Sequence, residues 1–269
     1  MKHRYKRLIA YGCSFTAGAE TVDHEYCHQQ YRDNLDEIKR KGEAKDLNDE
    51  KYFPKGAASI ILEEQKKYSY AAFIAKNLNL EYENWSIPGS SLQHAIFNFE
   101  RDFVKNKFFD TDIVLFGITS PGRWFWLTDE GVGKSAIFGW ENNWPTKELH
   151  DLFLQHLFND YNVLFNFFHS IKYIELLNRS SDFLVLQQFC HEDIPYYINN
   201  SNFKEEKNKN ILISMLNNSK SFNSIVDFNF SFSKILNWSN DTHGSWHPKK
   251  HHHEIFANDL TTMITRKYL

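Results

Sequence analysis

Lys6-Arg7-Leu8-Ile9-Ala10-Tyr11-Gly12-Cys13-Ser14-Phe15-Thr16-Ala17-Gly18 is the stretch whose reading decides the fold. Residues 6–13 form a short apolar run, the length of a strand buried on both faces. The run leads into small residues that suit a tight strand-to-helix turn. A serine just past such a strand presents its hydroxyl at the sheet edge, where it can act as a nucleophile if a base takes its proton. Ser14 as the cap of the next helix is the plainer alternative.

Outward from this stretch, apolar strand-length runs alternate with helical spacing. Residues 68–79 place Tyr68, Ala71, Ala72, Ala75 and Leu78 on one face of a helix. Residues 80–87 read as a second strand, closed by Pro88-Gly89-Ser90-Ser91, and residues 91–107 as the next helix. A third buried strand spans 112–119, ended by Pro121 and Gly122. Residues 147–178 carry a long helical pattern, 182–189 a fourth strand, 191–210 a polar loop with a short helix, and 224–230 a weaker fifth strand. The stretch from Pro248 to Leu269 predicts a last helix with Ile255, Phe256, Leu260, Met263 and Ile264 inward. Two stretches interrupt the alternation: the polar 23–67, and 123–146, rich in Trp and Gly and expected to be irregular. The expectation is one α/β domain over 1–269, with insertions near 23–67 and 123–146 and a mostly parallel five-stranded sheet. Right-handed crossovers gather the carboxyl ends of the strands along one edge, where such sheets bind their ligands.

Composition narrows the function classes. The chain has 269 residues, a formal net charge of −3 and a 16% aromatic share. That charge gives no electrostatic case for a nucleic-acid partner. Cys13, Cys27 and Cys190 are too few for a disulfide scaffold. The apolar part of the basic N-terminus is too short for a signal peptide, and no run reaches the roughly 18 apolar residues of a membrane helix. The expected location is therefore the cytoplasm; the oligomeric state stays open.

A second chemical candidate is His247, in Trp246-His247-Pro248 just ahead of the last helix. An imidazole there can lean over the sheet edge toward Ser14, and its ordinary pKa near 6.5 suits general-base work. His24, Cys27 and His28 have helical spacing for a metal, but no second pair confirms it, and His251, His252 and His253 point in different directions. No metal or organic cofactor is expected. Cys13 is expected to be a small buried residue, pointing away from the face that Ser14 uses. Trp124, Trp126, Trp140 and Trp144 crowd the segment after the third strand, where aromatic rings suit a sugar face, an acyl chain or simple packing.

With these residues in place, the chain resembles the SGNH/GDSL hydrolase family over nearly its whole length. Tyr11-Gly12-Cys13-Ser14-Phe15-Thr16 is similar to the family's nucleophile block, with Cys13 where the family has Asp. Asn84-Trp85-Ser86-Ile87-Pro88-Gly89 is similar to its N-x-x-x-x-G stretch, Val114 to Ser120 occupies the place of its G-x-N-D block, and His247-Pro248 is similar to its D-x-x-H-P block. The resemblance implies a three-layer, flavodoxin-like fold. It implies Ser14 as nucleophile, His247 as base, and the N–H groups of Ser14 and Gly89 as an oxyanion hole. Two positions depart from the pattern. Thr119 stands where the family places Asn and offers one short O–H; Arg123 nearby could donate instead. Gly244 stands where the family places the acid of the triad, and the nearest carboxylate is Asp241, six residues before His247. Trp124, Trp126 and Trp246 are the expected substrate contacts. The function implied is hydrolysis of a small ester or an acylated carbohydrate through an acyl-serine. The alternatives are an O-acyltransferase and a degenerate domain that binds a glycan or a protein and catalyses nothing; a metal-dependent hydrolase ranks last.

Overall fold

A computed structural model describes residues 4–19, 21–22, 57–105, 107–121, 123–129, 131–137, 146–152, 160–191, 206–219, 221–236 and 247–269. Strand β1 (Arg7–Tyr11) runs into helix α1 (Ser14–Ala17), so the decisive stretch is a strand and a one-turn helix joined by Gly12 and Cys13. Helices α2 (Ala57–Lys66) and α3 (Tyr70–Asn77) precede β2 (Glu81–Asn84), and α4 (Leu92–Val104) precedes β3 (Asp112–Ile118). Then come β4 (Arg123–Leu127), β5 (Gly133–Ile137), α5 (Lys147–Leu152), α6 (Asp160–Ser180), β6 (Leu184–Phe189), α7 (Glu206–Ser219) and α8 (Lys250–Tyr268).

Among the described residues β2, β1, β3 and β6 form a parallel sheet in that order. The period of two along β1 sorts its side chains into two cores. Ile9 and Tyr11 join Val114, Phe116, Leu92, Phe99 and Ile171 on one face, beneath α4 and α6. Leu8 and Ala10 join Ile113, Leu115, Ile74, Phe256 and Leu260 on the other, beneath α3 and α8. Helices therefore cover both faces, and the three-layer α/β arrangement follows.

The ends of the sheet are held differently. At the amino edge Arg7 donates to both oxygens of Asp112, at 3.1 and 2.6 Å, and to Glu83 at 2.6 Å, which ties the starts of β2, β1 and β3. At the carboxyl edge the chain relies on close approach. A Cβ on Gly117 would overlap Thr16 Oγ1 and lie 2.8 Å from the Tyr70 hydroxyl. A Cβ on Gly12 would stand 3.0 Å from the Gly117 carbonyl oxygen and also collide with Thr16. The turn after β1 thus lies directly on β3.

Three sequence expectations are corrected. Residues 123–137 are not irregular: β4 and β5 pair antiparallel, Trp124 opposite Ala136 and Trp126 opposite Lys134. The aromatic run has high strand propensity, and Gly131, at φ 72°, serves the turn. The fifth strand position holds a single parallel bridge, Gln187 with Ile225. Its ladder stops there because the Gln188 side chain takes the next backbone partners, accepting from Asp227 N–H and donating to Phe230 O. In α8, Ile255 is half exposed and His252 and His253 face inward, because the helix takes its phase from Phe256, Ala257, Leu260 and Ile264.

Gly117→Ala is expected to lower stability by about 2–4 kcal/mol through overpacking. Adding Thr16→Ala should return part of that loss. Urea unfolding of the single and double variants measures both effects, and equal stability of Gly117→Ala and wild type would refute the close approach.

Candidate active site

The strand ends β1, β2, β3 and β6 deliver four segments to the carboxyl edge. Cys13 caps α1, so Ser14 is its first helical residue rather than its cap. Ser14 is 4% exposed. Cys13 is fully buried as a free thiol, as expected of a side chain turned into the core.

The loop after β2 is tied to the Ser14 turn by named bonds. The Gly12 carbonyl accepts from Ile87 N–H at 3.0 Å and from Ser90 Oγ at 2.8 Å. Asn84 donates through Nδ2 to Thr16 O at 2.9 Å and accepts Ser86 N–H at 3.0 Å. That asparagine therefore clamps both motifs together. Gly89 lies between the tied residues at φ 81°, with nothing within 4 Å of a Cβ there, so backbone conformation selects the glycine. Ser91 then caps α4, accepting from His94 N–H at 3.1 Å.

Thr119 ends β3. It is 4% exposed, and its Oγ1 is buried without a hydrogen-bond partner among the described residues. Arg123 Nη1 donates to the Ser90 carbonyl at 2.9 Å, so this guanidinium braces the Gly89 loop. Trp124 lines a small cleft of about 140 Å³ with Gln93, Arg123 and Val163. Trp126 follows two residues later on the same strand, half-buried. Between them Phe125 faces helix α4, its ring 5.3 Å from His94. A larger cleft of about 530 Å³ opens between Gly89, α4 and the tip of the hairpin.

His247 reaches the same edge from the far end of the sequence. Its ring lies 5.3 Å from that of Phe15, the residue after Ser14. No hydrogen bond joins Ser14 to His247 among the described residues. Asp241 and Trp246 lie outside the described residues, as do His24, Cys27, His28, Trp140 and Trp144.

Sequence reasoning missed His191. It stands two residues past β6, and its ring packs edge-on against Phe15 at 5.1 Å, so two imidazoles flank the residue beside Ser14. Its signal was present: a polar residue just beyond the end of a buried strand, the rule that singled out Ser14. Below the edge lies a buried polar cluster that was also missed. Tyr70 Oη stands 3.2 Å from Cys190 Sγ and 3.3 Å from Thr16 Oγ1. Burial pushes the Cys190 thiol up to about 12, so it stays protonated. His253 accepts Tyr70 N–H on Nδ1 at 3.0 Å, which assigns its ring proton to Nε2. Burial, then the neighbouring imidazoles of His247 and His252, lower its pKa to about 3.

A parallel α/β sheet thus brings a serine turn, a glycine loop and two imidazoles to its carboxyl edge. No family model matches the sequence, and no curated protein matches it. Solved structures with a similar fold include lipolytic proteins of the G-D-S-L family and carbohydrate esterases. One, from Veillonella parvula DSM 2008, is 14% identical with a TM-score of 0.48, over 97% of this chain and 99% of that one. Another, from Desulfitobacterium hafniense DCB-2, is 11% identical with a TM-score of 0.46, over 96% and 99%. An acetyl xylan esterase, AlAXEase, is 12% identical with a TM-score of 0.42, over 96% and 99%.

His253 makes stability depend on pH with a definite sign. Unfolded, its imidazole binds a proton below about pH 6.5; folded, it stays neutral down to about pH 3. Acid therefore favours the unfolded chain throughout that window, by about 2 kcal/mol between pH 7 and pH 5. Urea midpoints across this range should fall with pH in wild type and fall less steeply in His253→Leu, whatever that variant's stability at pH 7.

Proposed function

We propose that this chain is a serine-dependent esterase that cleaves a small ester or an acylated carbohydrate through an acyl-serine at Ser14. The observation that carries the reading is the packing of His247 on Phe15, which brings an imidazole from the far end of the chain beside the serine turn. The tethering of the Gly89 loop supports the oxyanion hole, because the residues on both sides of Gly89, Ile87 and Ser90, bond the Gly12 carbonyl two residues before Ser14.

In this mechanism His247 takes the proton of Ser14 Oγ as the oxygen attacks the acyl carbon. The tetrahedral oxygen collects its negative charge facing the Ser14 and Gly89 amides. Thr119 Oγ1 adds a neutral O–H from a buried position, and Arg123 adds charge through guanidinium N–H groups other than the one bonded to Ser90. His247 then returns its proton to the leaving alkoxide, and water repeats the sequence to free Ser14. Asp241 would orient His247 from the loop before it. Trp124 and Trp126 would border the substrate from the hairpin, and Trp246 from the side of the base. No step needs a metal or an organic cofactor.

A second reading is a binding domain without turnover. The low exposure of Ser14 and its lack of a hydrogen bond to His247 favour it. An O-acyltransferase would use the same acyl-serine with a second alcohol in place of water.

A fluorophosphonate probe is expected to modify Ser14, and peptide mapping locates the label. Ser14→Ala and His247→Ala should each lower ester turnover by about 10³-fold or more, while His191→Ala stays within about tenfold. Labelling elsewhere, or full turnover by Ser14→Ala, would refute the esterase reading. A larger loss in His191→Ala than in His247→Ala would move the base to His191.

A further inference from the structure

The cleft beside Gly89 has a composition that the esterase reading does not use. Its walls include His94, Asn98 and Arg101 from α4, and Lys134 and Ser135 from β5, and among the described residues that line it the charged side chains are the cations Arg101 and Lys134. The nearest acids of α4 are engaged elsewhere. Glu100 accepts from Tyr173, and the buried Asp102 accepts from Tyr11 and Lys107, with Arg101 Nε at 3.9 Å.

Asn98 is the second, independent feature. It is 4% exposed and lines the cleft, yet its amide makes no hydrogen bond among the described residues. The amide keeps contact with the cleft, so it can donate to a ligand seated there without breaking another bond. His94 is fixed by its bond to Ser135 Oγ at 3.1 Å, and a Cβ on Gly133 would come within 2.9 Å of its Nε2, so the hairpin closes tightly on this wall. Burial, then the charges of Arg101 and Lys134, hold His94 below its ordinary pKa, which keeps it neutral beside the two cations.

We infer that this cleft binds a negatively charged oxygen group of the substrate, a carboxylate or a phosphate carried on the ester, with Asn98, Arg101 and Lys134 as its donors. The inference rests on the esterase reading for the identity of the ligand as a substrate, but the anion site itself stands on the cleft. The planar fork of Arg101 suits paired oxygens, Lys134 adds a point charge from the hairpin, and the Asn98 amide supplies a neutral donor at the buried wall. Gly89 forms the rim, so an anion seated here would hold the acyl carbon at the serine turn.

Two measurements separate the cleft from the chemistry. In the first, succinate and inorganic phosphate are titrated calorimetrically into wild-type protein and into Arg101→Glu/Lys134→Glu, whose altered side chains are both exposed. Wild type should bind at least one anion, and the double variant should bind it about tenfold more weakly or worse. The stronger of the two anions identifies the group. In the second, 4-nitrophenyl hemisuccinate is compared with 4-nitrophenyl butyrate. Wild type should favour the charged ester in kcat/KM by about tenfold, Arg101→Glu/Lys134→Glu should lose that preference while still cleaving the butyrate, and Asn98→Ala should raise KM for the charged ester alone. Turnover of the butyrate with no anion binding would overturn the inference and leave the esterase reading standing. Anion binding abolished by the double variant, with no ester cleaved and no label at Ser14, would uphold the site and overturn the esterase reading. Absence of anion binding in wild type overturns the inference in either case.

Discussion

Everything at the candidate site depends on how closely the turn after β1 lies on β3. Thr16 presses its hydroxyl against Gly117, and Gly12 lies against the Gly117 carbonyl. With no Cβ at either glycine, the backbone of the turn sits lower than any other pair of residues would allow. That depth fixes where Ser14 emerges, where the Gly12 carbonyl meets Ile87 and Ser90, and where Phe15 stands to receive two imidazole rings. A shift of this turn would therefore move Ser14, the Gly89 loop and the two imidazoles together.

The two ends of the sheet divide the work. At the amino edge, charge-assisted bonds from Arg7 lock three strands with little dependence on the loops. At the carboxyl edge no such ion pair is used among the described residues; neutral contacts, a carbonyl with two donors and the Asn84 clamp hold the loops. In the proposed ester cleavage, the developing negative charge would meet neutral dipoles whose positions are already set. The cations, Arg123 and those of the α4 cleft, stand at its rim.

The layered fold was legible in the sequence because β1 and β3 are short, mostly apolar runs, each followed by small or breaking residues. The same rule points to Ser14, whereas Gly89 and Thr119 enter as site residues through the family resemblance. The hairpin was misread because Trp and Gly were taken as signs of irregularity, although Arg123 to Leu127 is a sound strand by propensity. The fifth strand failed for a non-local reason: Gln188, on a different element, satisfies backbone groups that a ladder would have used. The phase of α8 differs from the expectation at Ile255, which was counted as core, while His252 and His253 take inward positions. Packing against Tyr70 and Phe232 sets this, and no local pattern announces it. His191 sits in a polar stretch with no periodicity of its own, so only its place after β6 could have marked it.

The protonated thiol of Cys190, locked between Tyr70 and Thr16 under the serine turn, has one more consequence. Electrophiles that alkylate sulfur need the thiolate and a path to it, and the native chain offers Cys190 neither. Its modification would have to wait for the helix layer to part from the sheet, so the rate of alkylation becomes a clock for that opening. A ligand that fastened the edge shut would slow the clock without ever touching the sulfur.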